Sequence, residues 1–230
     1  MAEKKISRKK LLKEPDEFIS TTTKIIQFLR EHNRQMLLYG VIVLAGVVGV
    51  FGFFYYLSRQ QGRALVVQQE AFQLYQETFR QGGSPEKEKD QYRKSLEKFK
   101  EALSVSGRGS VGEVSRIYVG HCHYSLQEYD QAIAAYVLCL EGPFRAMALN
   151  GLGYCYEAKG DYSKAMENYQ KNMEESLSPY QMEDTLAVAR CYEALKQKEK
   201  ALEVYQKALA KNPSPNITEF IQWKIGEIKG

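Results

Sequence analysis

Apolar residues recur at helical spacing along most of the chain, and the clearest example lies between residues 146 and 179. In the first half of this stretch the small and apolar residues follow one another at steps of three and four, so they would share one helix face: Leu149, Leu152, Gly153 and Tyr156. Ala165 and Tyr169 continue the spacing after a break at residues 160–162. The pattern predicts two amphipathic helices joined by a tight turn, with Gly153 and Ala165 where they cross.

The same arrangement returns before and after this stretch. A shift of 33 residues towards the amino terminus leads to an earlier copy: Gly120, Tyr129, Ala132 and Tyr136. A shift of 36 residues towards the carboxyl terminus leads to a later copy: Ala189, Tyr192, Ala201, Tyr205 and Pro213. A degenerate copy ending at Phe99 and Ala102 precedes them. This order of Leu, Gly, Tyr, Ala, aromatic residue and late Pro resembles the tetratricopeptide repeat, a helix–turn–helix unit of about 34 residues.

The resemblance implies an all-α fold in which about four helix pairs stack into a superhelix, because one pair cannot bury its own apolar face. We expect the repeats over about 65–106, 113–145, 146–179 and 182–214, and a closing helix over 216–229. An ordinary helical bundle with coincidental periodicity is the alternative.

A different pattern, an unbroken apolar run without any charged residue, occupies residues 36–57. As a helix its 22 residues would extend roughly 33 Å, enough to cross a bilayer core of about 30 Å. Tyr39, Tyr55 and Tyr56 lie near its ends, where interfacial aromatic residues occur. No small-x-small cleavage site follows the run. We therefore predict an uncleaved single transmembrane helix rather than a signal peptide.

Charge is unevenly distributed around this helix. Residues 1–35 carry nine Lys and Arg against five Asp and Glu, and only Arg59 and Arg63 follow the run closely. The positive-inside rule then keeps the amino-terminal tail, residues 1–35, in the cytoplasm and translocates residues 58–230, which in a bacterium means the periplasm. Residues 64–230 carry 21 basic and 23 acidic residues, a balance that disfavours nucleic-acid binding.

Residue types suited to catalysis or metal binding are few. His121, Cys122 and His123 are adjacent, but successive residues on a helix point about 100° apart and cannot converge on one ion. We find no nucleophile constellation and no Gly-rich phosphate loop. We expect no enzymatic activity, no metal, no cofactor and no small-molecule substrate.

Four cysteines are present and form no CxxC pair: Cys122, Cys139, Cys155 and Cys191. Three of them recur at the equivalent point of the predicted first helices, where a small buried apolar residue is the simpler interpretation. A disulfide between Cys122 and Cys139 is the pair to test if the domain lies in an oxidising compartment.

Stacked helix pairs generally hold another protein in a concave surface. The resemblance to tetratricopeptide repeats implies that the first helices line this surface. Transferring those positions one by one gives a candidate partner-binding groove: Tyr118, His121, Tyr124, Asn150, Tyr154, Glu157, Arg190 and Glu193. Such mixed aromatic and polar side chains suit the binding of extended or partly folded polypeptide. For Tyr118 and Tyr124, packing against the neighbouring repeat is the alternative.

Small residues also mark one side of the apolar run, at steps of three and four: Ala45, Gly46, Gly49 and Gly52. Such a face permits close packing against another membrane helix. Because Gly is common in membrane helices in general, a featureless membrane anchor is the alternative.

The order of parts, a basic tail, one span, a continuing helix and about four repeats, resembles the YfgM-type ancillary subunits of the Sec translocon in Gram-negative inner membranes. The resemblance implies association with the SecYEG channel and hand-over of emerging client chains to periplasmic chaperones. One alternative is a scaffold for another envelope assembly, such as pilus, secretion or division machinery. Another is a regulatory subunit that docks an enzyme through the cytoplasmic tail.

Overall fold

A computed structural model describes residues 17–80, 84–175 and 178–230, with the side chains of residues 17–22 left undescribed. These ranges contain ten α-helices and no strand, which confirms the all-α prediction. In chain order the helices are α1 (Glu17–Glu31), α2 (Asn33–Arg80), α3 (Pro85–Val105), α4 (Gly109–Ser125), α5 (Tyr129–Val137), α6 (Arg145–Ala158), α7 (Tyr162–Glu174), α8 (Gln181–Ala194), α9 (Lys198–Leu209) and α10 (Pro215–Lys229).

The chain divides into two compact units, Met1–Ser58 and Arg59–Gly230. The first unit holds α1 and the beginning of α2. By length and composition α2 qualifies as a membrane-spanning helix, with a mean hydropathy of 2.5 over its most apolar 18 residues. None of that window is buried within the protein, and Phe51, for example, is 72% exposed.

The second unit stacks helices in pairs: α4 with α5, α6 with α7 and α8 with α9, each pair packing on the next. The end of α2 and α3 form an earlier pair, in which Phe72 meets Phe99 edge to face at 5.1 Å and Ser95 Oγ donates to the Ala71 carbonyl at 2.9 Å. α10 packs against α9 and closes the stack. The second helix of each pair contributes one fully buried aromatic ring to the core: Phe99, Tyr136, Tyr169 and Tyr205.

Small residues on the first helices make room for these rings. A Cβ atom at Gly153 would lie 2.3 Å from the Tyr169 ring, and one at Gly120 would lie 2.5 Å from the Tyr136 ring. Ala165, predicted at the same crossing as Gly153, is fully buried in the core cluster that contains Tyr169. Close approach of backbone and aromatic ring therefore sets the distance between the two helices of a pair.

The turn within each of the three regular pairs passes through a residue in the left-handed backbone region: Gln127 (φ 64°), Gly160 (φ 78°) and Lys196 (φ 59°). In the central turn the amide of Asp161 donates to the Tyr156 carbonyl at 2.9 Å, and the other two turns contain the equivalent bond. This is the Schellman motif that commonly ends a helix. The Asp161 side chain then accepts from the Lys164 amide at 3.2 Å and caps α7.

A buried polar network joins the α6–α7 pair to α8. Asp184 is fully buried, and its two carboxylate oxygens accept from Asn150 Nδ2 at 2.8 Å and Asn172 Nδ2 at 2.7 Å. Ser178 Oγ in turn donates to Asn172 Oδ1 at 3.1 Å. Burial raises the pKa of Asp184 to about 6, although both amide bonds act in the opposite direction. Because one carboxylate bridges three helices, the network fixes how the two pairs stack.

Candidate protein-binding surface

One surface of the second unit is built from the first helices of the repeats, α4, α6 and α8. Each of these helices has a small residue where it crosses its partner: Gly120, Gly153 or Ala189. The next residue and the one three positions after that lie on the same side of the helix. These two positions hold His121 and Tyr124 on α4, Tyr154 and Glu157 on α6, and Arg190 and Glu193 on α8. We call these six residues, together with Tyr118, the first-helix surface.

The amino-terminal end of the first-helix surface is aromatic and closely packed. Tyr118 stacks on Phe99 at 5.2 Å between ring centroids and meets the edges of Phe72 and Tyr75 at 4.6 and 5.2 Å. These contacts connect α4 to α2 and α3. Tyr118 therefore contributes to packing between the first two helix pairs, which was the alternative interpretation of this residue.

The middle of the surface is open. The rings of Tyr124 and Tyr154, from neighbouring first helices, lie 6.2 Å apart and line a cavity of about 430 Å³ together with Glu157 and Tyr162. The Tyr154 hydroxyl donates to Glu183 Oε1 at 2.5 Å, which orients the ring. The cavity combines aromatic walls with the Glu157 carboxylate at one edge.

At the carboxyl-terminal end, each acid joins a tyrosine of its own repeat to a cation, which lies on α8 for Glu157 and on α10 for Glu193. Glu157 accepts from the Tyr169 hydroxyl at 2.9 Å and from Arg190 Nε and Nη2 at 3.1 and 3.2 Å. Burial lowers the pKa of the Arg190 guanidinium, but its bonds to Glu157 outweigh this effect and raise it above its usual value.

The same relationship occurs one repeat later. Glu193 accepts from the Tyr205 hydroxyl at 2.5 Å and from Lys224 Nζ on α10 at 3.1 Å. Because both acids are paired, this end of the surface presents polar groups with little net charge.

Two of the predicted groove residues are directed towards the interior. Asn150 is only 7% exposed and belongs to the buried network around Asp184. Nδ1 of His121 shares a hydrogen bond of 2.9 Å with the Tyr136 hydroxyl. Burial lowers the pKa of His121 to about 4, so its ring is neutral at pH 7. The open part of the surface is therefore centred on Tyr124 and Tyr154.

The adjacent residues His121, Cys122 and His123 contact three different neighbours. Cys122 Sγ lies 3.8 Å from Ser95 Oγ, and His123 Nδ1 lies 2.5 Å from Glu128 Oε2. Within the described ranges no group of three or more His, Cys, Asp or Glu side chains is arranged to hold a metal ion. The cysteines are buried and free, and Cys122 and Cys139 belong to different core clusters.

The small residues that are predicted to form a packing face on α2, residues 45–52, lie in the first unit. A Cβ atom added at Gly46, Gly49 or Gly52 would meet no atom within 4 Å in the described part of the chain. With Ala45 they leave one side of the helix open to close approach by another helix, which stays a prediction.

Three residues that complete the surface were not predicted from the sequence: Tyr162, Glu183 and Lys224. The sequence predicts a turn at residues 160–162, yet α7 begins at Tyr162 and the ring of this residue lines the cavity. Lys224 follows Arg190 by 34 residues and takes the corresponding position on α10. Extending the repeat spacing beyond Pro213 was the signal that would have found it.

Comparison with known proteins agrees with this geometry. The tetratricopeptide repeat family matches residues 114–171 and residues 186–215. The chain therefore contains tetratricopeptide repeats. The matched residues cover α5, α6 and α9 completely, and most of α4, α7 and α8. Arrays of this kind generally act as protein-interaction scaffolds.

Solved structures show the same kind of fold. Nearly identical TPR-like repeats from Podosopora anserina, described as a kinesin light chain, share 15% identity over 73% of this chain and 86% of theirs, with a TM-score of 0.57. A point-substituted form of those repeats shares 16% identity over 65% of this chain and 74% of its own, with a TM-score of 0.52. At these identities the likeness concerns the fold alone. No curated protein matches the sequence.

Proposed function

We propose that this tetratricopeptide repeat protein is a membrane-anchored scaffold that binds polypeptide segments of other proteins on its first-helix surface. The observation that carries the proposal is the open cavity between Tyr124 and Tyr154, on the surface built by successive first helices. Aromatic side chains beside paired charges give contact area with little dependence on the sequence of the bound chain.

The uncharged run of residues 36–57 within α2 supports the anchor. The excess of basic residues before it supports an orientation in which the tail is cytoplasmic and the repeats are periplasmic. In this arrangement the repeats would meet chains that emerge on the far side of a bacterial inner membrane. The order of parts favours a role beside the SecYEG channel, with hand-over of secreted chains to periplasmic chaperones. A scaffold in another envelope assembly is the second candidate.

Copurification tests the proposal and separates the two candidates. Tagged full-length protein is extracted in mild detergent, and bound proteins are identified for the wild type and for Tyr124→Ala/Tyr154→Ala. Phe220→Ala/Trp223→Ala removes two exposed rings from α10 and serves as the control. Channel subunits and secretory chains that are lost only with the first variant support the translocon role. Components of pilus, secretion or division machinery support the alternative, and identical recovery with both variants contradicts binding at Tyr124 and Tyr154.

Topology requires its own measurement. A reporter that is active only outside the cytoplasm is fused to the carboxyl terminus, and a reporter that is active only inside it is fused in parallel. Activity of the first reporter alone is expected. Activity of the cytoplasmic reporter alone contradicts a periplasmic repeat domain.

A further inference from the structure

A second cavity, away from the first-helix surface, lies beside the last two regular pairs. Its volume of about 500 Å³ exceeds that of the cavity between Tyr124 and Tyr154. Residues of α7 and α9, the second helices of these pairs, form its walls, and residues of α8 form its floor. We call it the second-helix groove.

Apolar side chains line the inner part of the second-helix groove, on its floor and on both walls. Val188 is only 5% exposed and belongs to the core cluster around Tyr169. Met173, Tyr192 and Val204 are partly buried against the same cluster, and each presents part of its side chain to the groove. An apolar strip between two helices is the form in which helical proteins commonly receive a further helix.

One wall of the groove carries positive charge. Lys200, Lys207 and Lys211 follow along α9 and its carboxyl-terminal end, separated by seven and four residues, so they lie on one side of the helix. At about 1.5 Å per residue they extend over roughly 16 Å. The acidic residue of this wall, Glu203, accepts a bond from Lys207 at 2.6 Å. Lys200 and Lys211 therefore leave the wall with net positive charge.

We propose that the second-helix groove docks an amphipathic acidic helix of a partner protein. About three turns of such a helix would place apolar side chains over Val188 and Val204, and carboxylates along one flank would face Lys200 and Lys211. The charge of the wall selects an acidic occupant over a basic one. This site shares no residue with the first-helix surface, so the two could be occupied at the same time.

Peptide binding to the full-length protein in detergent micelles tests the site. The probe is a fluorescein-labelled peptide of about 18 residues, with Leu on one face and Glu on the flank of that face, and its matched control carries Lys in place of every Glu. Fluorescence anisotropy should show micromolar binding of the acidic peptide and at least about tenfold weaker binding of the basic one. Added salt should weaken the binding of the acidic peptide, because the lysines of the groove are exposed to solvent.

Variants then locate the binding. Lys200→Glu/Lys211→Glu should lower the affinity for the acidic peptide at least about tenfold and raise the affinity for the basic one. Lys89→Glu/Lys100→Glu makes the same charge change at exposed positions of α3 and should leave binding unchanged. Thermal unfolding of both double variants checks that they are folded. Absence of acidic-peptide binding, equal binding of both peptides, or equal losses in the two variants would overturn the proposal. Loss of binding in Tyr124→Ala/Tyr154→Ala would also overturn it, by placing the peptide on the first-helix surface.

Discussion

The ring of Tyr169 occupies the space that a side chain at residue 153 would need, since a Cβ atom on Gly153 would lie 2.3 Å from Cε1 of the tyrosine. Tyr136 has this relationship with two glycines. A Cβ atom would lie 2.5 Å from its ring at Gly120, on the first helix of the same pair, and at Gly151, on the first helix of the next pair. Glycine is thus required both within a repeat and between repeats.

Gly153→Ala should destabilise the repeat domain by about 1–3 kcal/mol, the usual cost of an overpacked core. Gly226→Ala is the matched control, because residue 226 is also within a helix and a Cβ atom there would meet no atom within 4 Å. That control should be stabilised by up to about 1 kcal/mol, since Ala favours helix more than Gly does. Denaturant unfolding followed by circular dichroism measures both, and a shift in the same direction for the two variants would contradict the packing argument.

The turn residues with a left-handed backbone conformation give a second prediction. Gln127→Gly and Lys196→Gly should each stabilise the protein by about 0.5–1 kcal/mol, because Gly adopts a positive φ without the steric cost of a Cβ atom. Gly160→Ala, at the equivalent turn, should destabilise it by about 1 kcal/mol. Denaturant unfolding midpoints measure all three changes, provided that the free energy of unfolding depends on denaturant with the same slope in each protein. A loss of stability in both Gly variants would show that the native side chains contribute more than the backbone strain costs.

Asp184 predicts a dependence of stability on pH. Burial raises its pKa to about 6 in the folded protein, whereas an aspartate in an unfolded chain has a pKa of about 3.9. Near pH 5 the folded protein binds a proton that the unfolded chain does not bind, so acidification stabilises the fold. Between pH 7 and pH 5 the free energy of unfolding should rise by about 1 kcal/mol from this group.

Asp184→Asn is the control for that measurement. It removes the titrating group while keeping the shape of the side chain, so the rise between pH 7 and pH 5 should shrink by about 1 kcal/mol. Contributions from other titrating groups are common to both proteins and cancel in the comparison. The same pH slope in wild type and Asp184→Asn would show that Asp184 does not titrate in this range.

The cysteines give a chemical prediction. Burial raises the pKa of the Cys122, Cys155 and Cys191 thiols to about 12 each, and all three are 0% exposed. Native protein near pH 7.5 should therefore resist maleimide at these residues, since the thiolate is the reactive form. All four cysteines should react after denaturation without reductant. Mass spectrometry counts the labelled cysteines before and after denaturation. Two cysteines that stay unlabelled after denaturation would indicate a disulfide.

The helical pairing was predictable from the sequence because it depends on local spacing. Gly153, Ala165 and Tyr169 and their equivalents repeat at a nearly constant interval, and the structure places them at the crossings as expected. Gly160 also marked its turn. The equivalent turns carry Gln127 and Lys196, whose residue types give no indication of a positive φ.

Contacts between repeats were less predictable, because they join residues far apart in the sequence. Asn150 lies on α6 four positions before Tyr154, and the repeat spacing predicts it in the groove, yet its amide donates a hydrogen bond to Asp184 on α8. The pairing of Glu157 with Arg190 has the same origin. Spacing within one helix gives the side of the helix on which a residue lies. It does not give which of those residues the next helix covers.

Site-specific photo-crosslinking in living cells tests the central claim, that polypeptide binds the first-helix surface beside Tyr154. A photoreactive phenylalanine analogue replaces Tyr154 in one full-length variant and Glu97, an exposed residue of α3, in a matched variant. Crosslinked protein adducts are expected in the membrane fraction from position 154, and none of the same adducts from position 97. Absence of adducts at position 154, or an identical set at both positions, would contradict the claim.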